Sequence, residues 1–313
     1  MKRFIINILL FCLPIVVWLF VKWTQPHDQQ FTAHFTKGDC FSHGSWLQDR
    51  LYLNETEIDI AFFGTSHTIN AIDDKLLSKK LNKNVVNCGY CRLGRNLQEL
   101  FTQQLFSYNQ SANLKNPNLE KIIIEVRENE EVSSHPMYPY WSNFREMLQM
   151  PYNRDYINDW YLYTISRIEY DKSKLYPTIY EIDTTNFGGS SNLDTIDITQ
   201  LEDFKERHSK RLKKDRNNIK NTRFEDFTYR FPKHYLNKIH QKCHDKNVEL
   251  VFLYLPSYAS TTLEPQHLAY YQSLGTVIIP PKKIWNNPDY WFDKEHLNIA
   301  GSTIFSEWLV SQL

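Results

Sequence analysis

The fold of this chain is constrained most by short apolar segments that alternate with amphipathic segments. Strand-like segments occupy residues 57–63, 84–87, 121–126, 248–255 and 276–279. Helical periodicity predicts helices over residues 72–81, 96–108, 233–246 and 300–313, with Asp73 as a cap. Strands separated by helices form βαβ units whose strands run parallel and are covered on both faces. The sequence therefore predicts an α/β, flavodoxin-like three-layer sandwich with a mostly parallel sheet.

Composition excludes several classes of protein. The chain has 313 residues, long enough for one large domain or one domain with a sizeable insertion, and its 42% hydrophobic and 15% aromatic residues argue against disorder. Thirty-six basic residues balance thirty-six acidic ones, so no overall field attracts nucleic acid and none is expected as a partner. Cysteines and histidines lack zinc-site spacing, so no metal or cofactor is expected.

The N-terminus resembles a membrane segment. Lys2 and Arg3 precede residues 4–21, which carry no charge and can cross most of a hydrocarbon core of about 30 Å. A cleaved signal peptide and a retained anchor are the two interpretations. The absence of an Ala-x-Ala site and the aromatic border at residues 18–23 favour a retained anchor that spans residues 1–23. The positive-inside rule then places the N-terminus in the cytoplasm and the rest of the chain outside, periplasmic or extracytoplasmic. Residues 24–56 are interpreted as a juxtamembrane tether.

The cysteines leave several pairings open. Cys88 and Cys91 are interpreted as a redox pair, two buried thiols or a local disulfide. In an oxidising compartment Cys40 and Cys243 are another possible pair.

The alternation of strands and helices stops between residues 127 and 232. We interpret residues 130–247 as an inserted, partly helical lobe with a connecting helix. The aromatic cluster over residues 137–163 is either the small core of that lobe or a carbohydrate-stacking surface. A turn follows at 188–191. The basic run at 205–223 is either a solvated helix face or a contact for an anionic glycan or lipid headgroups.

Three residues carry the candidate chemistry. Ser66 follows the first strand on a Gly-Thr-Ser turn, and Asp293 and His296 lie in the loop before the last helix. In open parallel sheets, reactive groups gather at the carboxyl ends of the strands. A serine becomes a nucleophile when a base takes its proton and a third group orients that base. We predict Ser66 as nucleophile, His296 as base and Asp293 as its partner, and we interpret the adjacent His67 as a helix-start or substrate-side residue.

An oxyanion that forms on the substrate requires hydrogen-bond donors near the serine. The predicted donors are the backbone N–H groups of Ser66 and Gly89 and the side chain of Asn87, which ends the second strand.

The first and last of these motifs resemble those of the SGNH (GDSL-like) hydrolase superfamily. Asn298 and Gly301 extend the likeness, because Asp-x-x-His-Leu-Asn-x-x-Gly is typical of the last block. The resemblance covers residues 57–129 and 248–313. It departs at Thr65, where Asp is usual, and in the third block, where Gly-x-Asn-Asp is missing and Asn129 is the nearest candidate oxyanion donor.

The chain is also similar to membrane-anchored members of this superfamily, the DltD-like proteins of teichoic acid D-alanylation and the AlgX- or PatB-like glycan O-acetyltransferases. This resemblance implies a serine esterase or O-acyltransferase that acts on an acylated cell-envelope glycan or polymer, with a multi-spanning membrane acyltransferase as a further partner. The alternatives are a non-catalytic accessory protein of the same fold, which Thr65 and the missing third block favour, and a thiol–disulfide protein that uses Cys88 and Cys91.

Overall fold

The structure is a computed structural model that describes residues 1–26, 29–36, 44–53, 56–92, 94–107, 114–175, 206, 210 and 225–313. Its strands are β1 (Ile60–Phe63), β2 (Val85–Asn87), β3 (Lys121–Val126), β4 (Glu249–Tyr254) and β5 (Thr276–Ile278). Helices of the first third are α1 (Lys2–Thr24), α2 (Gln29–Phe35), α3 (Gly44–Gln48), α4 (Ser66–Ala71), α5 (Asp74–Leu81) and α6 (Arg95–Leu105). The later helices are α7 (Tyr138–Trp141), α8 (Phe144–Gln149), α9 (Tyr156–Ser173), α10 (Glu225–Asp245), α11 (Leu268–Leu274), α12 (Lys282–Trp285) and α13 (Ile299–Val310).

The five strands form one sheet in the order β2-β1-β3-β4-β5, and every pair is parallel. This arrangement confirms the α/β class and the parallel sheet that the sequence predicts. The chain moves from β1 to β2 on one side and returns to β3 on the other. The carboxyl ends of β1 and β3 therefore flank a topological switch point, the usual position of a site in such sheets.

Both faces of the sheet are buried, which explains the unbroken apolar runs of its strands. On β1, Ala61 and Phe63 join one hydrophobic cluster and Ile60 and Phe62 join another. We call the first side the front face and the second the back face. Helices α6, α10 and α11 contribute to the front cluster, and α5, α12 and α13 contribute to the back cluster.

The described parts of residues 24–56 pack against the domain and do not form the predicted tether. Phe31 of α2 is buried, and Trp46, Leu47 and Leu51 belong to the front cluster. Apolar side chains of this kind stabilise the fold by leaving water, so the described parts of the segment belong to the folded domain.

The predicted inserted lobe shares the core of the sheet instead of forming its own. Trp141 of α7, Tyr163 of α9 and Tyr235 of α10 lie in the same buried cluster as Phe63. Trp141 and Tyr163 of the aromatic cluster are therefore buried in the core of the sheet and not in a separate core of the lobe, whereas Tyr152 and Tyr161 are exposed. The turn at 188–191 and all of the basic run at 205–223 except residues 206 and 210 lie outside the described residues.

Helix α10 begins before the predicted start at residue 233 and contains Pro232. A proline inside a helix removes one backbone hydrogen bond. Here Tyr229, Phe231 and Tyr235, on both sides of the proline, are all buried. Their packing stabilises the helix across the missing hydrogen bond.

Two cysteine pairings from the sequence are wrong. Cys88 and Cys243 are free and buried, and Cys91 is disulfide-bonded with a partner outside the described residues. Cys88 therefore forms no redox pair with Cys91, and Cys243 does not pair with Cys40, which also lies outside the described residues. Burial raises the pKa of the Cys88 thiol to about 12, which makes it unreactive.

Helix α1 is long and apolar enough to cross a membrane. It spans 23 residues with a mean hydropathy of 2.8 in its most apolar window, and none of that window is buried against the protein. Pro14 lies inside it.

Candidate active site

The serine turn forms where β1 ends. Gly64 and Thr65 lead from β1 into α4, whose first residue is Ser66. Thr65 caps this helix, since its hydroxyl accepts a hydrogen bond from the backbone N–H of His67 at 3.0 Å. A Cβ on Gly64 would lie 1.9 Å from Thr68 Oγ1, so only glycine fits at this position.

The structure brings the three predicted catalytic side chains together. His296 Nε2 lies 2.8 Å from Ser66 Oγ, and His296 Nδ1 lies 2.8 Å from Asp293 Oδ2. Ser66 and His296 are 230 positions apart in the chain, so this contact depends on the fold. The three groups form a continuous hydrogen-bonded chain of serine, histidine and carboxylate at the carboxyl edge of the sheet.

The histidine loop is organised by Asp293. Its Oδ1 accepts hydrogen bonds from the backbone N–H groups of Glu295 at 2.7 Å and His296 at 2.8 Å. Partial burial acts to raise the pKa of Asp293, but the hydrogen bond from the His296 ring and these N–H groups outweigh it and lower that pKa. The carboxylate is therefore ionised at neutral pH and suited to orient an imidazole.

Asn298 holds the next turn. Its side chain accepts from the N–H of Gly301 at 2.9 Å and donates to the carbonyl of Asp289 at 2.8 Å. A Cβ on Gly301 would lie 2.2 Å from the carbonyl oxygen of Tyr290, so α13 approaches this loop too closely for any other residue.

Glu125, on the neighbouring strand β3, holds the serine turn through hydrogen bonds, and its role was not predicted from the sequence. This fully buried carboxylate of β3 accepts from the N–H and hydroxyl groups of both Thr65 and Thr68, at distances between 2.6 and 3.2 Å. Burial acts to raise the pKa of Glu125, but Arg127 and these hydrogen bonds hold it below its usual value. A lone acidic residue within the apolar part of β3, after Ile122, Ile123 and Ile124, was the signal that the sequence offered.

Thr65 therefore has a defined place in this site. The threonine hydroxyl both donates to Glu125 and accepts from His67 N–H. Thr65 thereby links the buried carboxylate of β3 to the first turn of α4, which carries Ser66.

The predicted oxyanion donors fall into two groups. Asn87 Nδ2 donates to the carbonyls of Thr68 and Ile72 at 3.0 Å each, and its Oδ1 accepts from Gly89 N–H at 3.0 Å. Asn87 and Gly89 therefore direct these donors into the protein, which stabilises α4. Among the described residues, the backbone N–H of Ser66 has no hydrogen-bond partner and remains open as a donor.

Asn129 and Arg127 follow β3 near the site. Asn129 Oδ1 is buried without a hydrogen-bond partner among the described residues, so the amide is not anchored through this atom. Arg127 Nη2 donates to Ser257 Oγ at 3.1 Å, and its Nη1 lies 3.7 Å from Glu125. This guanidinium balances the buried carboxylate under the serine turn.

His67 occupies a different position from His296. Its ring is buried, lies 5.1 Å from the His296 ring between centroids, and places Nε2 3.8 Å from Glu295 Oε2. Burial, with a smaller effect of Arg127, lowers the pKa of His67 to about 4. His67 is therefore neutral at pH 7, and His296 is the ring that contacts Ser66.

Comparison with family models finds no match, and comparisons with curated proteins and with solved structures find none either. The described residues also contain no group of three or more His, Cys, Asp or Glu side chains that could hold a metal ion.

Proposed function

We propose that this protein is a membrane-anchored serine esterase or O-acyltransferase of the SGNH type that acts on an acylated cell-envelope glycan or polymer. One observation carries the proposal. Ser66, His296 and Asp293 are joined by two hydrogen bonds of 2.8 Å at the carboxyl edge of a parallel sheet.

In this mechanism His296 Nε2 removes the proton from Ser66 Oγ as the oxygen attacks the acyl carbonyl carbon. Asp293 stabilises the imidazolium, and the Ser66 N–H donates to the oxyanion. When the tetrahedral intermediate collapses, the imidazolium returns its proton to the departing alcohol oxygen and an acyl ester remains on Ser66. Water or a sugar hydroxyl then attacks this ester by the same steps in reverse.

Three features support the family and its location. Helices that cover both faces of an all-parallel sheet agree with the SGNH three-layer sandwich. Helix α1 is a candidate anchor, with Lys2 and Arg3 on the side that the positive-inside rule assigns to the cytoplasm. The disulfide at Cys91 favours an oxidising compartment, as expected for an extracytoplasmic domain.

A fluorophosphonate probe tests the proposed nucleophile in the purified full-length protein. The wild-type chain should be labelled covalently, and Ser66→Ala should lose the label. His296→Gln should lose it as well, because no base then removes the serine proton. His67→Gln is the matched control, since that ring lies beside His296 without contacting Ser66 Oγ, and it should keep the label. Labelling that persists in Ser66→Ala would show that another residue reacts.

A non-catalytic accessory protein of the same fold is the second candidate. The observation that favours it is that the predicted donors Asn87 Nδ2 and Gly89 N–H are bonded within the protein. Of the predicted backbone donors, this leaves the Ser66 N–H open to an oxyanion among the described residues. Under this alternative, Ser66→Ala would leave the cellular envelope phenotype intact, and deletion of α1 would abolish it. Under the enzyme proposal, both changes would abolish it.

A further inference from the structure

Specific contacts dock the outer end of α1 against α9. The Trp23 indole donates to Thr164 Oγ1 at 3.0 Å, and the Trp23 carbonyl accepts from Tyr163 Oη at 2.7 Å. Lys22 Nζ lies 2.5 Å from Asp171 Oδ2. The domain is therefore held in a set orientation on the end of α1.

Helix α9 crosses the end of α1 instead of running along it. Contacts on α9 extend from Trp160 to Asp171, about 16 Å at a rise of 1.5 Å per residue, whereas their partners on α1 are the neighbours Trp23 and Lys22. If α1 crosses a bilayer, α9 consequently lies nearly parallel to the bilayer surface, at the level where α1 leaves it.

The surface of α9 divides into four sides at about 100° per residue. Its buried side carries Asp159, Tyr163, Ser166 and Tyr170. The side that touches α1 carries Trp160, Thr164 and Asp171. The third side lies opposite the buried one and carries an apolar stripe, which we call the interfacial stripe: Ile157, Tyr161, Ile165 and Ile168. The exposed Lys172 lies beside this stripe near the end of the helix, and the fourth side carries Asn158, Leu162, Glu169 and Ser173.

The interfacial stripe is open to solvent in the isolated chain. Ile157 is 76% exposed and Tyr161 is 60% exposed, while Ile165 and Ile168 are half-buried. Leu148 and Tyr152, 60% and 63% exposed, add further exposed apolar surface just before α9. Exposed apolar patches of this kind mark surfaces that leave water in the working state of a protein.

The position of α1 indicates what covers this stripe. Most of α1 is exposed, so it projects away from the domain. The buried side of α9 faces the domain, and the interfacial stripe lies opposite it. The stripe therefore faces away from the domain, in the direction in which α1 projects. In a membrane that direction is the bilayer.

We propose that the interfacial stripe inserts into the headgroup–acyl boundary of the bilayer that holds α1. This inference rests on the membrane insertion of α1 in the proposed function. Tyrosine and aliphatic side chains are the usual content of such in-plane helices. Arg145, which is exposed three residues before Leu148, adds a cation that favours anionic headgroups. The contact would hold the Ser66 site at a set height and orientation over the membrane.

Lipid quenching in nanodiscs of phosphatidylcholine and phosphatidylglycerol tests this proposal with the full-length chain. Single cysteines replace Ile157, Tyr161, Val16 or Lys79 in a Cys12→Ser background, and each carries an environment-sensitive fluorophore. Val16 reports insertion of α1, and Lys79 is an exposed control on α5 at the back face. Labels at 157 and 161 should lose most of their emission to lipids with a nitroxide near the headgroup, whereas the label at 79 should respond to aqueous iodide alone.

The outcomes separate this inference from the anchor proposal. Lipid quenching at 16 together with iodide quenching at 157 and 161 would overturn the interfacial stripe and keep the anchor. Labels at 157 and 161 that are shielded from both quenchers would show that a protein covers the surface, which also overturns it. No lipid quenching at 16 would overturn the anchor and this inference with it.

Discussion

The two halves of the candidate site are built in different ways. The histidine half is local, because Asp293 binds the N–H groups of Glu295 and His296 and the ring of His296, all within three positions. The serine half depends on Glu125, which is 60 positions from Thr65 and 57 from Thr68. A short motif is thus sufficient for one half, and the other requires a neighbouring strand of the sheet.

The largest effect should come from breaking the local half. Asp293→Asn keeps the size of the side chain but stabilises the wrong tautomer of His296, so we expect labelling by the fluorophosphonate to slow by about 10⁴-fold. The rate is measured in single-turnover labelling of full-length protein. The Asn side chain retains an acceptor for the backbone N–H groups, so the thermal midpoint should change little. A rate close to wild type would contradict the assigned role of Asp293.

A change in the serine half, which depends on Glu125, should lower the stability of the folded protein. Glu125→Gln replaces an ionised acceptor of four hydrogen bonds with a neutral amide, and we expect a loss of about 3 kcal/mol in the free energy of unfolding. Urea unfolding measures the loss. The control Glu120→Gln, on an exposed residue just before β3, should stay within about 0.5 kcal/mol. Equal effects of the two changes would show that the buried carboxylate does not stabilise the turn.

Acid should weaken the serine half through His67. Burial lowers the folded pKa of His67 to about 4, whereas the unfolded side chain titrates near 6.5. Between these values the unfolded state binds the extra proton, so stability falls as the pH drops through this window. At about 1.4 kcal/mol per pKa unit, the loss between pH 7 and pH 5 is roughly 2 kcal/mol.

Urea unfolding of His67→Gln at the same pH values provides the comparison for this effect. Its slope should be smaller but still positive, because burial also lowers the pKa of His135, to about 3, and that residue is retained. A slope equal to that of wild type would show that His67 is not the group responsible.

The smallest effect should come from the cap of α13. Asn298→Ala removes the side-chain acceptor for Gly301 N–H and the donor to the Asp289 carbonyl, at a cost of about 1.5 kcal/mol in the free energy of unfolding. Thr303→Ala, one turn into the same helix, removes a hydroxyl that donates to the Ile299 carbonyl, and should cost less. If Asn298→Ala costs no more than Thr303→Ala in thermal unfolding, the turn after His296 does not depend on this cap.

Features that depend on neighbours in the chain were predicted well. The strands follow from apolar runs, Asp73 caps α5 as expected, and the Asp293–His296 loop is organised within a few residues. Features that depend on long-range packing were not. The helices of residues 29–53 and of the insert join the front cluster, because aromatic side chains there find partners on the sheet.

The sequence by itself determined the alternation of strands and helices, the apolar character of α1 and the two motifs that carry Ser66 and His296. Period and spacing express these features directly. Only the tertiary structure decided that Ser66 Oγ lies against His296, that Glu125 supports the turn, and that the Asn87 and Gly89 donors face inward. Such contacts join residues far apart in the chain, and their geometry follows from how the sheet and helices pack.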